Sequence, residues 1–121
     1  MKERVVILGA SPNRERYSNM AQRLLMERGY RVIPVNPGQS QIEGVEVIRH
    51  LSNVPTPVDT VTMYVNSEIS LKLQEDVLRL NPRRVVFNPG SETPLLAAAL
   101  REQGVSVVEA CTLVMIRTDQ W

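Results

Sequence analysis

The 121-residue chain predicts a doubly wound α/β domain on a mostly parallel sheet of five strands. Short runs rich in Val and Ile alternate with stretches whose apolar residues recur at helical spacing, the pattern of parallel strands joined by right-handed crossovers. The strand-like runs are apolar almost throughout, as strands are when helices cover both faces of their sheet. The first of them breaks abruptly into a small polar loop, the place where such sheets bind ligands. The predicted architecture is one Rossmann-like domain over residues 1–121, strand order 3-2-1-4-5, with helices on both faces.

Each element follows from local chemistry. Arg4 to Leu8 reads as the first strand. Asn19, with Gln22 three positions on, matches a capping box. From there to Arg28 the positions Met20, Ala21, Leu24 and Leu25 form a helical stripe, with Gly29 suited to the C′ position. Tyr30 to Val35 is a second strand, ended by Asn36-Pro37-Gly38, a turn that a strand cannot continue through. Gln39 to Pro57 reads as irregular, with a short edge strand at Val45 to Ile48. Thr60 to Val65 is the third long strand, and Ser67 reads as the N-cap of a helix to about Leu80, stopped by Asn81-Pro82. Arg84 to Phe87 is the fourth strand, followed by the small-residue loop Asn88-Pro89-Gly90-Ser91. Thr93 as N-cap and Pro94 at the first helical position open a helix that Gly104 ends. Val105 to Val108 is the fifth strand, and Cys111 to Ile116 is an apolar run of either type.

Composition narrows the function. A net charge of +1 gives no electrostatic case for nucleic acid. Apolar residues make up 43% of the chain but aromatics only 4%, so aliphatic side chains must build the core. A single cysteine cannot form an internal disulfide, which points to a reducing, cytoplasmic setting. Met1-Lys2-Glu3-Arg4 does not resemble a signal sequence, and no apolar run is long enough to span a bilayer.

The loop after the first strand, Gly9 to Ser18, reads as a phosphate-binding turn. A helix N-terminus carries unpaired N–H groups and partial positive charge. Gly9 allows close backbone approach, Ser11 adds a hydroxyl, and Arg14 and Arg16 add cations. An NAD site would show Gly-x-Gly-x-x-Gly here and a carboxylate at the end of the second strand. This loop has one glycine, and the second strand ends in Asn36-Pro37. No Gly-Lys-Ser/Thr sequence occurs, so a Walker loop is absent too.

Gly9-Ala10-Ser11-Pro12-Asn13, then Arg16-Tyr17-Ser18, then Gly29 to Pro37 resemble the small CoA-binding domain proteins, which are similar to the N-terminal CoA-binding domain of the succinyl-CoA synthetase α subunit. Val58 to Val61, Pro89-Gly90 and Gly104 to Cys111 fall where that family has its later signatures. The resemblance covers almost the whole chain. It implies a pyrophosphate held by Gly9, Ala10, Ser11 and Asn13, with Pro12 shaping the loop and Arg16, Tyr17 and Ser18 near the phosphates. It implies that Asn36 and Pro37 flank the adenosine. Tyr64, Val65 and Asn66, with Asn88, Pro89, Gly90 and Ser91, would line the adenine and pantetheine side. The chain departs from many family members at Phe87-Asn88, where a larger aromatic and Gln are common, and at Glu109-Ala110, where Asp-Arg is common. The synthetase's phosphorylated histidine lies in a second domain with no counterpart here.

The function expected on that resemblance is a binding module for coenzyme A or acyl-CoA with no chemistry of its own. An NAD(H)-binding regulatory domain and a minimal acyl-CoA-handling enzyme are the other readings, and a protein partner or homo-oligomer is compatible with all three. Arg14, Glu15 and Arg16 could equally be a solvated patch, and Asn36-Pro37-Gly38 a simple turn. His50 has no partner pattern and reads as a surface residue. Cys111 reads as a buried inert thiol, its alternative being a mixed disulfide with the CoA thiol. Asp59 and Glu68 bracket the third strand without a defined separation, and Glu92 complements a helix dipole. No metal-ligand spacing or catalytic triad is present in the sequence.

Overall fold

The computed structural model describes residues 3–121. Five parallel strands form the sheet: β1 (Arg4–Leu8), β2 (Arg31–Val35), β5 (Thr60–Met63), β6 (Arg84–Phe87) and β7 (Ser106–Glu109). Between β2 and β5 lies a small antiparallel hairpin, β3 (Gln41–Ile42) and β4 (Val45–Glu46). The helices are α1 (Tyr17–Glu27), α2 (Ser67–Lys72), α3 (Gln74–Leu80), α4 (Pro94–Glu102) and α5 (Thr112–Arg117).

The sheet order is β2-β1-β5-β6-β7. The fold class is the expected doubly wound α/β, but the order is not the expected 3-2-1-4-5, because the third long strand lies beside the first. The outer edge of β2 is already taken. Ile48 makes a parallel bridge to Val35, donating its N–H to the Pro34 carbonyl at 3.0 Å and accepting from Asn36 N–H at 3.2 Å. The next long strand therefore crosses to the free side of β1. Counting the Ile48 bridge as a vestigial strand restores the 3-2-1-4-5-6 order of dinucleotide-binding folds. The switch point falls between β1 and β5, above Gly9 and Tyr64.

β1 is the centre of the molecule, and its alternation assigns the two cores. Val5 and Ile7 pack with Leu25 of α1 and Ile116 of α5. Val6 and Leu8 face the other way, with Val77 and Leu80 of α3 and Leu96 and Leu100 of α4. These four side chains are buried, each worth about 1.5–3 kcal/mol of transfer free energy.

Several boundaries differ from the sequence reading. α1 begins at Tyr17, two residues before Asn19, and no side chain caps it. Asn19 and Gln22 are fully buried within the helix. Asn19 Nδ2 donates to the Ser11 carbonyl at 2.9 Å and to Glu43 Oε2 at 3.2 Å, and Gln22 Nε2 donates to the Ile42 carbonyl at 3.0 Å. Their polar groups brace the loop and the hairpin instead of closing a capping box. Asn66, not Ser67, caps α2, its Oδ1 accepting from Ile69 N–H at 2.9 Å. The expected single helix to Leu80 breaks at Leu73 into α2 and α3. Asn81 ends α3 in the left-handed region, which Asn tolerates better than most residues. The run after Cys111 is helical and folds back on α1.

Candidate functional site

Gly9 and Ala10 both donate their N–H groups to the Val35 carbonyl at 3.2 Å, so the loop after β1 leaves the sheet tied to the end of β2. Asn36 completes the tie, its Nδ2 donating to the Ala10 carbonyl at 2.7 Å while its Oδ1 accepts from Gly38 N–H at 2.7 Å. Ser11 Oγ accepts from Asn13 N–H at 3.1 Å and Asn13 Oδ1 accepts from Glu15 N–H at 3.0 Å, two side-chain turns that set the path into α1. Gly9 is required here by packing as much as by any ligand. Its φ is +91°, and an added Cβ would sit 3.0 Å from the Tyr64 backbone and from Val65 Cγ1.

The loop and the start of α1 wall an open cavity of about 550 Å³. Gly9, Ala10, Ser11, Arg16, Tyr17, Ser18, Asn36 and Tyr64 line it, together with Glu15. Among the described residues, no side chain or carbonyl accepts from the N–H groups of Tyr17 and Ser18, and α1 has no acidic residue in its first turn. That end of α1 is a free donor pair with the helix dipole behind it. Arg16 is exposed and forms no ion pair among the described residues. Arg14 differs, because its Nε lies 3.5 Å from Glu43 Oε2 and it is not among the lining residues. Tyr17 is 65% exposed and lines the cavity. Pro12 and Asn13 shape the loop from outside this lining.

Two further cavities continue the first. One, of about 330 Å³, shares Gly9 with it and has walls from Leu8, Val35, Val65, Ile69 and Leu73, with Pro37, Arg49, His50 and Asp76 also in its lining. The other, of about 230 Å³, shares Tyr64 and is lined by Val65, Asn66, Pro89, Gly90 and Ser91. The structure thus brings most of the expected site residues to the carboxyl edge of the sheet in three adjoining compartments. Asn88 is different, being buried and fully engaged. Its Nδ2 donates to Thr62 Oγ1 at 2.7 Å and to the Met63 carbonyl at 3.0 Å, and its Oδ1 accepts from Thr112 N–H at 2.8 Å.

Tyr64 stands where the compartments meet. Thr62 and Thr112 bond to each other at 2.8 Å, and the Tyr64 hydroxyl beside them is buried with no hydrogen-bond partner among the described residues. Burial pushes its phenol up to about 12, against a smaller opposing pull from the neighbouring threonine hydroxyls. Cys111, expected to be buried, is half-buried at the start of α5. His50 is exposed, as expected, but it lines the apolar cavity rather than open surface. Arg49, His50, Ile69, Leu73 and Asp76 were not legible as site residues. The available signal was the Val45–Ile48 edge strand, whose pairing to Val35 carries the next two residues to the end of β2.

A parallel α/β sheet with an uncapped helix N-terminus, a small-residue loop and a cavity at its switch point is the architecture of a Rossmann-type domain. A family model described as a CoA binding domain matches residues 3–117, and the chain belongs to that family. The uncharacterized protein YneT of Bacillus subtilis (strain 168) is 26% identical over 106 residues, covering 88% of this chain and 78% of YneT. A crystal structure of an uncharacterized protein superposes with a TM-score of 0.94 at 36% identity, covering 100% of this chain and 99% of the other. A dinucleotide-forming acetyl-coenzyme A synthetase of Ca. Korarchaeum cryptofilum shares the fold, with a TM-score of 0.74 at 21% identity. That match covers 89% of this chain and 25% of the synthetase. Among the described residues, no helix is long and apolar enough to cross a membrane.

Proposed function

We propose that the chain is a binding module for coenzyme A or an acyl-CoA and performs no covalent chemistry on it. The observation that carries this reading is the cluster of three adjoining compartments around Gly9, Tyr64 and Val65, one mainly apolar and two of mixed polarity. Coenzyme A has three parts to place in them: an adenosine, a pyrophosphate and a pantetheine arm. In this reading the N–H groups of Tyr17 and Ser18, the Ser11 hydroxyl and Arg16 hold the pyrophosphate. Glu15 stands in the same lining and orients the anion toward Arg16 by repulsion. The apolar walls beside Pro37 take the adenosine, and the trough between Asn66 and Ser91 takes the pantetheine arm.

The loop residues fit this group. A cavity of mixed polarity at an uncapped helix N-terminus, with Arg16 unpaired among the described residues, suits a diphosphate. The module reading over an enzyme reading rests on Asn88, Thr62 and Thr112, whose polar atoms are engaged with one another and not offered to the cavity. Asn36 weighs against a dinucleotide such as NAD, because the position that would hold a ribose diol by a carboxylate instead ties down Ala10. A thermal-shift panel of CoA, acetyl-CoA, NAD and ATP tests the reading, since a ligand that binds only the folded state raises its melting temperature. CoA and acetyl-CoA are expected to stabilise the protein and NAD to leave it unchanged. Stabilisation by NAD or ATP alone would overturn it.

A further inference from the structure

The apolar cavity has a feature that a base-binding slot does not need. Its walls are Leu8, Val35, Val65, Ile69 and Leu73, yet two adjacent basic residues, Arg49 and His50, also line it. They lie just before a short 3-10 turn, Leu51–Asn53, and His50 itself is extended, with φ −126° and ψ 131°. Both are exposed, and neither makes an ion pair or a side-chain hydrogen bond among the described residues. The single carboxylate in the lining, Asp76, is already within 3.9 Å of Arg79 on its own helix. The cavity therefore combines apolar walls with two unpaired basic residues and one carboxylate that already has a cationic neighbour.

We infer that Arg49 and His50 bind the 3′-phosphate on the ribose of a CoA-type ligand, and so select CoA over nucleotides that lack that group. The inference rests on the CoA reading above and goes beyond it by naming the residues that read the ribose substituent. The cavity shares Gly9 with the phosphate compartment, so an adenosine lodged in it stays joined through its 5′ carbon to a pyrophosphate at Ser11 and Arg16. A ribose 3′-phosphate carries a second cluster of anionic oxygens into the same cavity. Arg49 offers a forked set of donors that matches a phosphate, and His50 offers a ring N–H in either protonation state. Asp76 repels the same group, and Arg49 and His50 are the basic residues of that lining. A nucleotide with a free 3′-hydroxyl gives Arg49 nothing to pair with. The phosphate loop alone cannot supply this preference, because the pyrophosphate is common to CoA, dephospho-CoA and NAD.

Calorimetric titration of the wild-type protein with CoA and with dephospho-CoA tests it, alongside the R49Q/H50Q double variant and the single variant Arg49→Glu. The wild type is expected to bind CoA about tenfold more tightly than dephospho-CoA, the size of one charge-assisted contact at a partly exposed site. The double variant is expected to bind the two ligands equally, with the affinity for dephospho-CoA unchanged. Arg49→Glu is expected to reverse the preference. Equal binding of both ligands by the wild type overturns the inference and leaves the CoA reading standing. So does a CoA preference that survives in the double variant. Loss of dephospho-CoA binding in the double variant also overturns it, because the residues would then be supporting the cavity rather than reading the phosphate. Failure of the wild type to bind either ligand at millimolar concentration overturns the CoA reading and the inference with it. Both side chains are exposed, so unchanged melting temperatures are expected to show that the variants fold.

Discussion

Asn36 Nδ2 donates to the Ala10 carbonyl at 2.7 Å, and this bond joins the turn after β2 to the loop after β1. The two segments lie 26 residues apart in sequence, and the proposed site sits across their junction. With Asn36 Oδ1 also accepting from Gly38 N–H, one side chain fixes both loops. Asn36→Ala is expected to cost about 1–3 kcal/mol of stability, since it leaves a partly buried carbonyl without its donor. It should also weaken CoA binding. Urea unfolding and CoA titration of the same variant check both effects, and unchanged values in both would mean the loops hold their positions without it.

Arg16 is the loop cation that the structure leaves available, whereas Arg14 is engaged with Glu43. Arg16→Ala should weaken CoA binding by about 1–3 kcal/mol with no change in melting temperature. Arg14→Ala should have a much smaller effect on binding. Equal losses in the two variants, measured by calorimetry, would contradict the assignment.

Gly9 reads from the sequence as a glycine kept for a ligand's approach, so that Gly9→Val would abolish binding in a folded protein. The structure changes that expectation. The missing side chain points at the Tyr64 backbone and Val65, and the φ of +91° is strained for any other residue. Gly9→Val is therefore expected to destabilise the protein by about 2 kcal/mol or more, combining backbone strain with a clash at the β1–β5 junction. Thermal unfolding decides the point. A variant that melts with the wild type but no longer binds CoA would restore the ligand-only explanation.

Which parts were legible follows from which interactions are local. The strands were readable because β1, β2, β5 and β6 are buried apolar runs bounded by Gly, Pro and Asn, signals carried within a few residues. The loop at Gly9 to Ser18 was readable because small residues between a strand and a helix N-terminus have few other uses. Asn19 and Gln22 were misread because their partners, Ser11 on the loop and Ile42 on the hairpin, are set by tertiary folding. A polar residue near a helix start looks like a cap whenever its distant acceptor is invisible. The strand order turned on Ile48, a one-residue bridge that no periodicity reveals. Arg49 and His50 were hidden for the same reason, being placed at the site by that bridge.

Tyr64 makes the alkaline stability of the protein informative. Its phenol is pushed up to about 12 by burial, from 10.0 in the unfolded chain. Below pH 10 both states hold the proton, and this contribution to stability is fully present. Between pH 10 and about 12 the unfolded state loses the proton first, so the folded state loses stability as pH rises, by about 2–3 kcal/mol in all. Tyr64→Phe removes this component. The stability difference between wild type and variant should be flat up to pH 10 and shift in the variant's favour above it, as followed by urea unfolding at each pH. Parallel curves up to pH 12 would mean the hydroxyl is hydrated or bonded in solution.

Calorimetric titration of the wild-type protein with CoA and NAD tests most directly whether the compartments around Gly9 and Tyr64 bind coenzyme A. A site made of open loops is expected to bind CoA in the micromolar range, about −8 kcal/mol, at one site per chain. NAD is expected to give no saturable heat at the same concentrations. Saturable binding of NAD with no heat from CoA at millimolar concentration would contradict the account.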